Sequence, residues 1–158
     1  MKPFLLIIAF ALSVQVSAQQ VKLLKLEDLF RRVQAGGDTT YIINFWATWC
    51  GSCLEELPNF EKLSGEYSTS KLRVILVSLD FRSAMKTAVV PYVHKKRLTN
   101  EVFLLDETDP QWFINRIDST WSGAIPATLF INRDQRKFFE QQFDYEELKK
   151  QYQQIKTL

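Results

Sequence analysis

Apolar and polar positions near residue 30 follow a helical period. Apolar side chains occupy positions i, i+3, i+4 and i+7 of the segment 26–33, and acidic residues occupy its first turn. This spacing places the apolar side chains on one face of a helix. Because Gly36 and Gly37 follow the last of them, the pattern predicts a short amphipathic helix that ends there.

Two predominantly apolar runs follow, with a helical pattern between them. Residues 41–46 and 72–79 predict two strands that are buried on both faces. Residues 50–67 have the period of a helix, which we expect Pro58 to bend. A strand, a helix and a second strand in this order predict a parallel pair joined by a right-handed crossover.

The segment 81–121 has a weaker pattern, and we interpret it as an insertion after this first βαβ unit. It contains a helical stretch that we expect Pro91 to interrupt, and then a short strand at 102–105. Asp109 and Pro110 are typical of the cap and the first turn of a further helix.

The end of the chain predicts a hairpin and a closing helix. Strand-like segments at 127–131 and 137–143 flank an Asn-Arg-Asp turn. Asp144, with Glu147 three residues later, resembles a capping box at a helix start. The apolar face of that helix consists of Tyr145, Leu148, Tyr152 and Ile155. Together the elements predict an α/β fold with a central mixed sheet flanked by helices.

The composition is that of one folded domain. The chain has 158 residues, of which 46% are hydrophobic and 24% charged, and its formal net charge is +2. A charge this close to balance argues against binding to phosphate backbones, so we expect no nucleic-acid partner. We also expect the protein to be a monomer. One histidine and two cysteines are too few for a structural zinc site built only of these residues, which needs four ligands.

The first 18 residues have the organisation of a signal peptide. Lys2 provides a positive charge, residues 4–12 are apolar, and residues 16–18 are the kind that signal peptidase accepts. The predicted cleavage follows Ala18, which leaves 19–158 as the mature domain of an exported, periplasmic protein. The apolar run is shorter than the ~20 residues that cross a bilayer, so a retained membrane anchor is the weaker alternative.

Two cysteines, Cys50 and Cys53, lie where the first buried strand leads into the predicted helix. A helix start directs unpaired N–H groups and the positive end of the dipole at the first sulfur, which favours a thiolate there. Cys50 is therefore the predicted nucleophile. Cys53 lies one turn further along the same side, and we expect it to be better shielded and to resolve a mixed disulfide.

Two segments indicate a family. Residues 44–53, Asn-Phe-Trp-Ala-Thr-Trp-Cys-Gly-Ser-Cys, are followed by Glu56, Leu57 and Pro58, and residues 123–128 are Gly-Ala-Ile-Pro-Ala-Thr. The chain resembles the thioredoxin superfamily, and more closely its exported TlpA-like and ResA-like thiol–disulfide oxidoreductases. The resemblance implies a thioredoxin-like fold with the insertion described above. It also implies a dithiol enzyme without a cofactor that reduces exported proteins, often apocytochrome c, and is itself reduced by a membrane thiol donor.

The resemblance also implies roles for individual residues. Pro126 matches the family's cis-proline, which faces the disulfide and exposes the backbone of Ile125 to an extended substrate. Glu56 matches an acid that assists proton transfer at the buried cysteine, and the weaker alternative is a solvated acid near a helix start. Asn44 replaces the buried aspartate of cytoplasmic thioredoxins and cannot accept a proton. Trp49 is expected to cover the disulfide and to contact partners.

Three other functions stay open at this point. Ser52 replaces the proline that is usual between the family's cysteines, so a disulfide oxidant or isomerase is an alternative to a reductase. His94 would complete a copper site with Cys50 and Cys53 if the protein were a metal-binding module. Thr48 and Cys50 have a spacing one residue short of the T-x-x-C of peroxiredoxins, so a peroxidase is a minor alternative.

Overall fold

The structure is a computed structural model that describes residues 20–157. The predicted signal peptide lies outside these residues. No helix within them combines the length and the apolar character that crossing a bilayer requires. The strands are β1 (Lys22–Leu24), β2 (Thr40–Trp46), β3 (Leu72–Ser78), β4 (Glu101–Leu105), β5 (Ala127–Asn132) and β6 (Gln135–Phe139). The helices are α1 (Leu26–Ala35), α2 (Gly51–Glu66), α3 (Val90–Lys96), α4 (Pro110–Ile117) and α5 (Tyr145–Lys156).

These strands form one mixed sheet of six strands in the order β1-β4-β3-β2-β5-β6. The strands β1, β4, β3 and β2 pair in parallel, whereas β5 is antiparallel to β2 and β6 is antiparallel to β5. The predicted parallel pair of β2 and β3 and the predicted hairpin of β5 and β6 are both confirmed. The α/β architecture with a mixed central sheet is the one that the sequence predicts.

Helices cover both faces of the sheet, because alternate residues of β2 enter two different apolar clusters. Ile42 and Trp46 pack in a cluster with residues of α2, α3 and α5, whereas Ile43 and Phe45 pack with residues of α1 and α4. Every residue of β2 is buried, as predicted for a strand covered on both sides. The C-terminal end of β2 is therefore held firmly before the chain turns into α2.

One prediction about the segment 81–121 is wrong. Pro91 does not interrupt a helix but lies in the first turn of α3, where its missing N–H costs no hydrogen bond. A 3₁₀ turn (Arg82–Ala84) and a π-helical turn (Met85–Val89) precede α3. The segment also contributes an interior strand to the sheet, since β4 pairs with both β3 and β1.

The boundaries of two further elements differ from the predicted ones. The last strand ends at Phe139 and does not reach residue 143, because its partner β5 begins at Ala127 and the preceding residue, Pro126, has no N–H with which to extend the pairing. The start of α5 agrees with the prediction, since the Asp144 carboxylate accepts the Glu147 N–H at 2.8 Å. The short strand β1 was not predicted at all.

Pro58 lies inside α2. The bend that we expect there stays a prediction.

The core on the α2 and α5 face contains a cluster of phenylalanine rings. The ring of Phe130 lies 5.6 Å from that of Phe139 and 5.8 Å from that of Phe143, measured between centroids.

Because Phe130 is fully buried, we expect Phe130→Ala to lower the free energy of unfolding in urea by about 3–5 kcal/mol. Gln135→Ala, at an exposed position of β6, should change it by less than about 0.5 kcal/mol. Equal losses in the two variants would contradict this description of the core.

Candidate active site

The turn from β2 into α2 places Cys50 at the N-cap of α2. Its backbone is extended (φ −96°, ψ 102°), and its sulfur accepts the Cys53 N–H at 3.2 Å. The hydroxyl oxygen of Ser52 lies 3.6 Å from the same sulfur. Because α2 continues for 16 residues, the positive end of its dipole is directed at Cys50 Sγ. This position stabilises negative charge on the sulfur.

Cys50 and Cys53 form a disulfide, and their α-carbons are 5.3 Å apart. Cys53 is completely buried, whereas Cys50 keeps 8% of its surface exposed. The exposed face makes Cys50 the sulfur that an external molecule reaches first. Cys53 can be reached only from within the site.

The loop before β5 faces this disulfide. The Ile125–Pro126 peptide bond is cis, as the resemblance implied. The carbonyl oxygen of Ile125 lies 3.7 Å from Cys50 Sγ. The loop is held in place because Trp121 Nε1 donates to the carbonyl oxygen of Ala124 at 2.8 Å. The backbone of the cis-proline loop is therefore next to the more exposed sulfur.

Glu56, three residues after Cys53 on α2, is a buried acid and not a solvated one. One carboxylate oxygen accepts from Asn44 Nδ2 at 2.7 Å, and the other accepts from the Phe143 N–H at 2.7 Å. Burial raises the pKa of Glu56 to about 7, and the two hydrogen bonds act in the opposite direction. A carboxyl group with a pKa near neutrality can both release and accept a proton under physiological conditions.

Asn44 connects Glu56 to the strand that follows the cis-proline. It lies on β2, is fully buried, and donates from Nδ2 to Glu56 and also to Thr128 Oγ1 at 3.1 Å. Its Oδ1 has no hydrogen-bond partner within the described residues. The resemblance had set Asn44 aside as unable to accept a proton. The structure shows that its amide orients the carboxyl group of Glu56.

Asp80 is a site residue that the sequence reasoning missed. Its carboxylate is nearly buried and accepts the Thr48 N–H at 2.9 Å, the Thr48 hydroxyl at 2.5 Å and the Ser78 hydroxyl at 2.8 Å. These bonds attach the loop before Cys50 to the end of β3. The available signal was a serine and an aspartate two residues apart at the end of a buried strand.

The two tryptophans near the site have different environments. Trp46 is completely buried, and its ring lies 5.5 Å from that of Tyr92 between centroids. Trp49 is 68% exposed and directly precedes Cys50. It is therefore available to contact a partner.

Two of the alternative functions depend on residues that the structure also places. His94 lies on α3 and is exposed. Residues 20–157 contain no group of three or more His, Cys, Asp or Glu side chains that could hold a metal ion, so they do not assemble the copper site. The peroxidase alternative was based on the spacing of Thr48 and Cys50, and the hydroxyl of Thr48 donates its hydrogen to Asp80.

Comparisons with known proteins agree with this geometry. A sequence profile of the AhpC/TSA family matches residues 8–136. A thioredoxin from Malassezia sympodialis is 38% identical over 69 residues, which cover 44% of this chain and 65% of that protein. The thiol-disulfide oxidoreductase ResA of Halalkalibacterium halodurans is 30% identical over 90 residues, which cover 57% of this chain and 46% of that protein. The chain thus spans less than two thirds of the length of either relative.

A solved structure confirms the fold. The crystal structure of a thioredoxin-related protein from Neisseria meningitidis serogroup B superposes with a TM-score of 0.65 at 17% identity. The superposition covers 75% of this chain and 86% of that one. At this level of identity the likeness concerns the fold alone, and it confirms the thioredoxin-like architecture.

The raised pKa of Glu56 makes stability depend on pH. The ordinary carboxyl pKa is 4.5, and that of Glu56 in the folded protein is about 7. Between these values the folded protein keeps a proton that the unfolded chain has released. The contribution of Glu56 to the free energy of unfolding is therefore fully present below about pH 4.5 and is lost as the pH rises to about 7. Urea unfolding of the oxidised protein from pH 4 to pH 8 should show a loss on the order of 3 kcal/mol from this group.

Two glutamine variants isolate this effect. Glu56→Gln cannot titrate, so its unfolding free energy should lack this part of the decline between pH 4.5 and 7. Glu55→Gln removes the same charge from the neighbouring exposed position and should keep the wild-type profile. Parallel profiles for wild type and Glu56→Gln would show that the pKa of Glu56 is not raised.

Proposed function

The chain belongs to the AhpC/TSA family and is a TlpA/ResA-like member of the thioredoxin superfamily. From this premise we propose that it is an exported thiol–disulfide oxidoreductase that reduces disulfides of periplasmic proteins. The observation that supports this most directly is the pair of sulfurs at the start of α2. One is partly exposed beside a cis-proline, and the other is buried behind it.

The first half of the reaction uses Cys50. In the reduced protein its thiolate attacks one sulfur of a client disulfide, and the other client sulfur leaves with the electron pair of the broken bond. A mixed disulfide between Cys50 and the client results. The Cys53 N–H and the α2 dipole favour the attacking thiolate, because both stabilise negative charge at Cys50 Sγ.

The second half uses Cys53. Its thiolate attacks Cys50 Sγ, forms the Cys50–Cys53 disulfide and releases the client's second thiolate, so that the client has gained two electrons. The 5.3 Å separation of the α-carbons allows this bond without movement of the backbone. A dithiol of the membrane donor then returns the protein to its reduced form by the same exchange in reverse.

Glu56 is the proposed proton acceptor for Cys53. A buried thiol must lose its proton before it can attack, and solvent does not reach Cys53. The carboxyl group of Glu56 is held on the same helix with a pKa of about 7, so it can take up that proton and later return it. The Asn44 amide and the Phe143 N–H keep it in one orientation while its charge changes.

The proposed client site lies between Trp49 and the cis-proline loop. Pro126 directs the backbone of Ile125 towards Cys50, where an extended client segment could pair with it beside its own cystine. Trp49, which directly precedes Cys50, supplies a large exposed ring. Both contacts place the client disulfide within reach of Cys50.

The contacts of Cys50 Sγ favour a reductase over a strong oxidant. A strong oxidant requires a reduced form that is much more stable than the disulfide, which in turn requires a strongly stabilised thiolate. Here one backbone N–H, a nearby hydroxyl and the positive end of the α2 dipole favour the thiolate, whereas the Ile125 carbonyl oxygen at 3.7 Å opposes it. This mixed environment supports only moderate stabilisation of the thiolate.

Export rests on the signal peptide predicted at residues 1–18, with cleavage after Ala18. Disulfides persist in extracytoplasmic compartments, so clients of this chemistry are abundant there. Apocytochrome c is one client class that the family resemblance implies, and cytochrome c maturation is the corresponding process.

A pair of serine variants tests the exchange mechanism. We expect Cys53→Ser to accumulate mixed disulfides on Cys50 in cells, because the resolving thiol is absent. Affinity purification without reductant and mass spectrometry would identify the trapped clients, and apocytochrome c would be among them if the protein acts in cytochrome c maturation. Cys50→Ser, the matched control, should trap nothing at that position. Recovery of no mixed disulfide from the Cys53→Ser variant would contradict the mechanism.

The reduction potential tests the direction of the reaction. A reductase should equilibrate with glutathione at a potential near that of thioredoxin, about −270 mV, whereas an oxidant should lie near −120 mV. Thiol alkylation after equilibration at defined ratios of reduced and oxidised glutathione gives the value. A potential above about −150 mV would replace the reductase with the oxidant.

A further inference from the structure

Two aromatic side chains near the disulfide are unusually exposed. Phe81 is 81% exposed and Trp49 is 68% exposed, which are the largest values recorded for large apolar side chains within residues 20–157. Single exposed apolar residues are common on protein surfaces, but adjacent ones form a patch that typically marks an interaction site. The question is therefore whether these two rings belong to one surface.

Hydrogen bonds place the backbones of the two residues close together. The Asp80 carboxylate accepts both the N–H and the hydroxyl of Thr48, at 2.9 and 2.5 Å. Trp49 follows Thr48 directly, and Phe81 follows Asp80 directly. The two rings therefore extend from neighbouring points of two loops at the same end of the sheet, and Cys50 is the next residue after Trp49.

The backbone of Phe81 is fixed on its other side as well. Its carbonyl oxygen accepts the Ala84 N–H at 2.8 Å, which closes the 3₁₀ turn. The next residue, Arg82, forms an ion pair with Asp106 at 2.9 Å. Phe81 thus presents its ring from a backbone that is already ordered, and a partner that binds it need not order this segment.

We propose that Phe81 is a specificity-determining residue that binds, together with Trp49, an apolar side chain next to the client's cystine. The proposal rests on the proposed function, since it assumes that a client disulfide reaches Cys50. The occupant is an extended segment of a disulfide-bearing protein, because Trp49 directly precedes Cys50, whose sulfur lies 3.7 Å from the Ile125 carbonyl oxygen of the cis-proline loop. Clients with apolar neighbours of the cystine are then reduced faster than clients with polar ones.

Two synthetic probes test this preference. Each is a disulfide-linked peptide dimer, and the two differ only in having leucine or serine beside each half-cystine. For the reduced wild-type protein we expect kcat/KM to be about five-fold higher for the leucine dimer, the factor expected for one binding residue worth about 1 kcal/mol. The difference should appear in KM, because the ring contributes to binding and not to bond breaking.

Two variants complete the experiment. Phe81→Ser should reduce the leucine-to-serine ratio of kcat/KM to between one and two, and its melting temperature reports whether the fold is intact. Leu23→Ser is the matched control, since Leu23 is also exposed and lies on β1, which β4 and β3 separate from β2. It should keep the wild-type ratio.

Two results would overturn the proposal. One is an unchanged leucine-to-serine ratio in Phe81→Ser, and the other is a wild-type protein that reduces both dimers equally well. If the unchanged ratio accompanies a wild-type dimer in sedimentation that becomes monomeric in Phe81→Ser, the patch is an interface between two copies. A wild-type protein that reduces neither peptide, and no protein disulfide either, would refute the proposed function itself.

Discussion

The chemistry of this protein depends on a helix N-terminus held at the end of a fully buried strand. β2 has no exposed residue and pairs with β3 on one side and β5 on the other, and α2 begins at residue 51. Cys50 occupies the N-cap between them, where a Cys53 N–H that lacks a partner in the helix points at its sulfur. The same geometry that favours the Cys50 thiolate brings Cys53 within bonding distance, one turn into the helix. Reactivity and reversibility thus have one structural origin.

Burial also determines the pKa of Glu56, which lies just beyond the first turn of α2. Glu56 would be an ordinary surface acid at its position next to Glu55, but it points into the core, where desolvation raises its pKa to about 7. The structure limits this shift with two hydrogen bonds, from Asn44 on β2 and from the backbone of Phe143. Without them the pKa of Glu56 would be higher still, and less of the carboxyl group would be ionised at neutral pH to accept a proton from a thiol. The elements that support the site therefore also adjust its proton affinity.

The sequence predicted what depends on local pattern and missed what depends on contacts between distant residues. The continuous apolar runs of β2 and β3 and the cysteines between them are local signals, and they identified the centre of the sheet and the reactive pair. Pro91 was misjudged because a proline that starts a helix and one that breaks a helix look alike when the preceding turn is π-helical. Asp80 was missed because its partner, Thr48, is 32 residues away. No periodicity could have indicated that contact.

In the proposed mechanism, proton transfer and client binding use different residues. Cys53 and Glu56 are fully buried, whereas the aromatic side chains of Trp49 and Phe81 are exposed. A surface substitution at Phe81 leaves the buried hydrogen bonds of Glu56 untouched, so effects at the two places should be close to additive. A substitution of Asn44 would instead change the pKa of Glu56 without altering the exposed surface that binds a client. Client preference can therefore change through exposed residues of the segment 81–121 while the exchange chemistry at α2 stays constant.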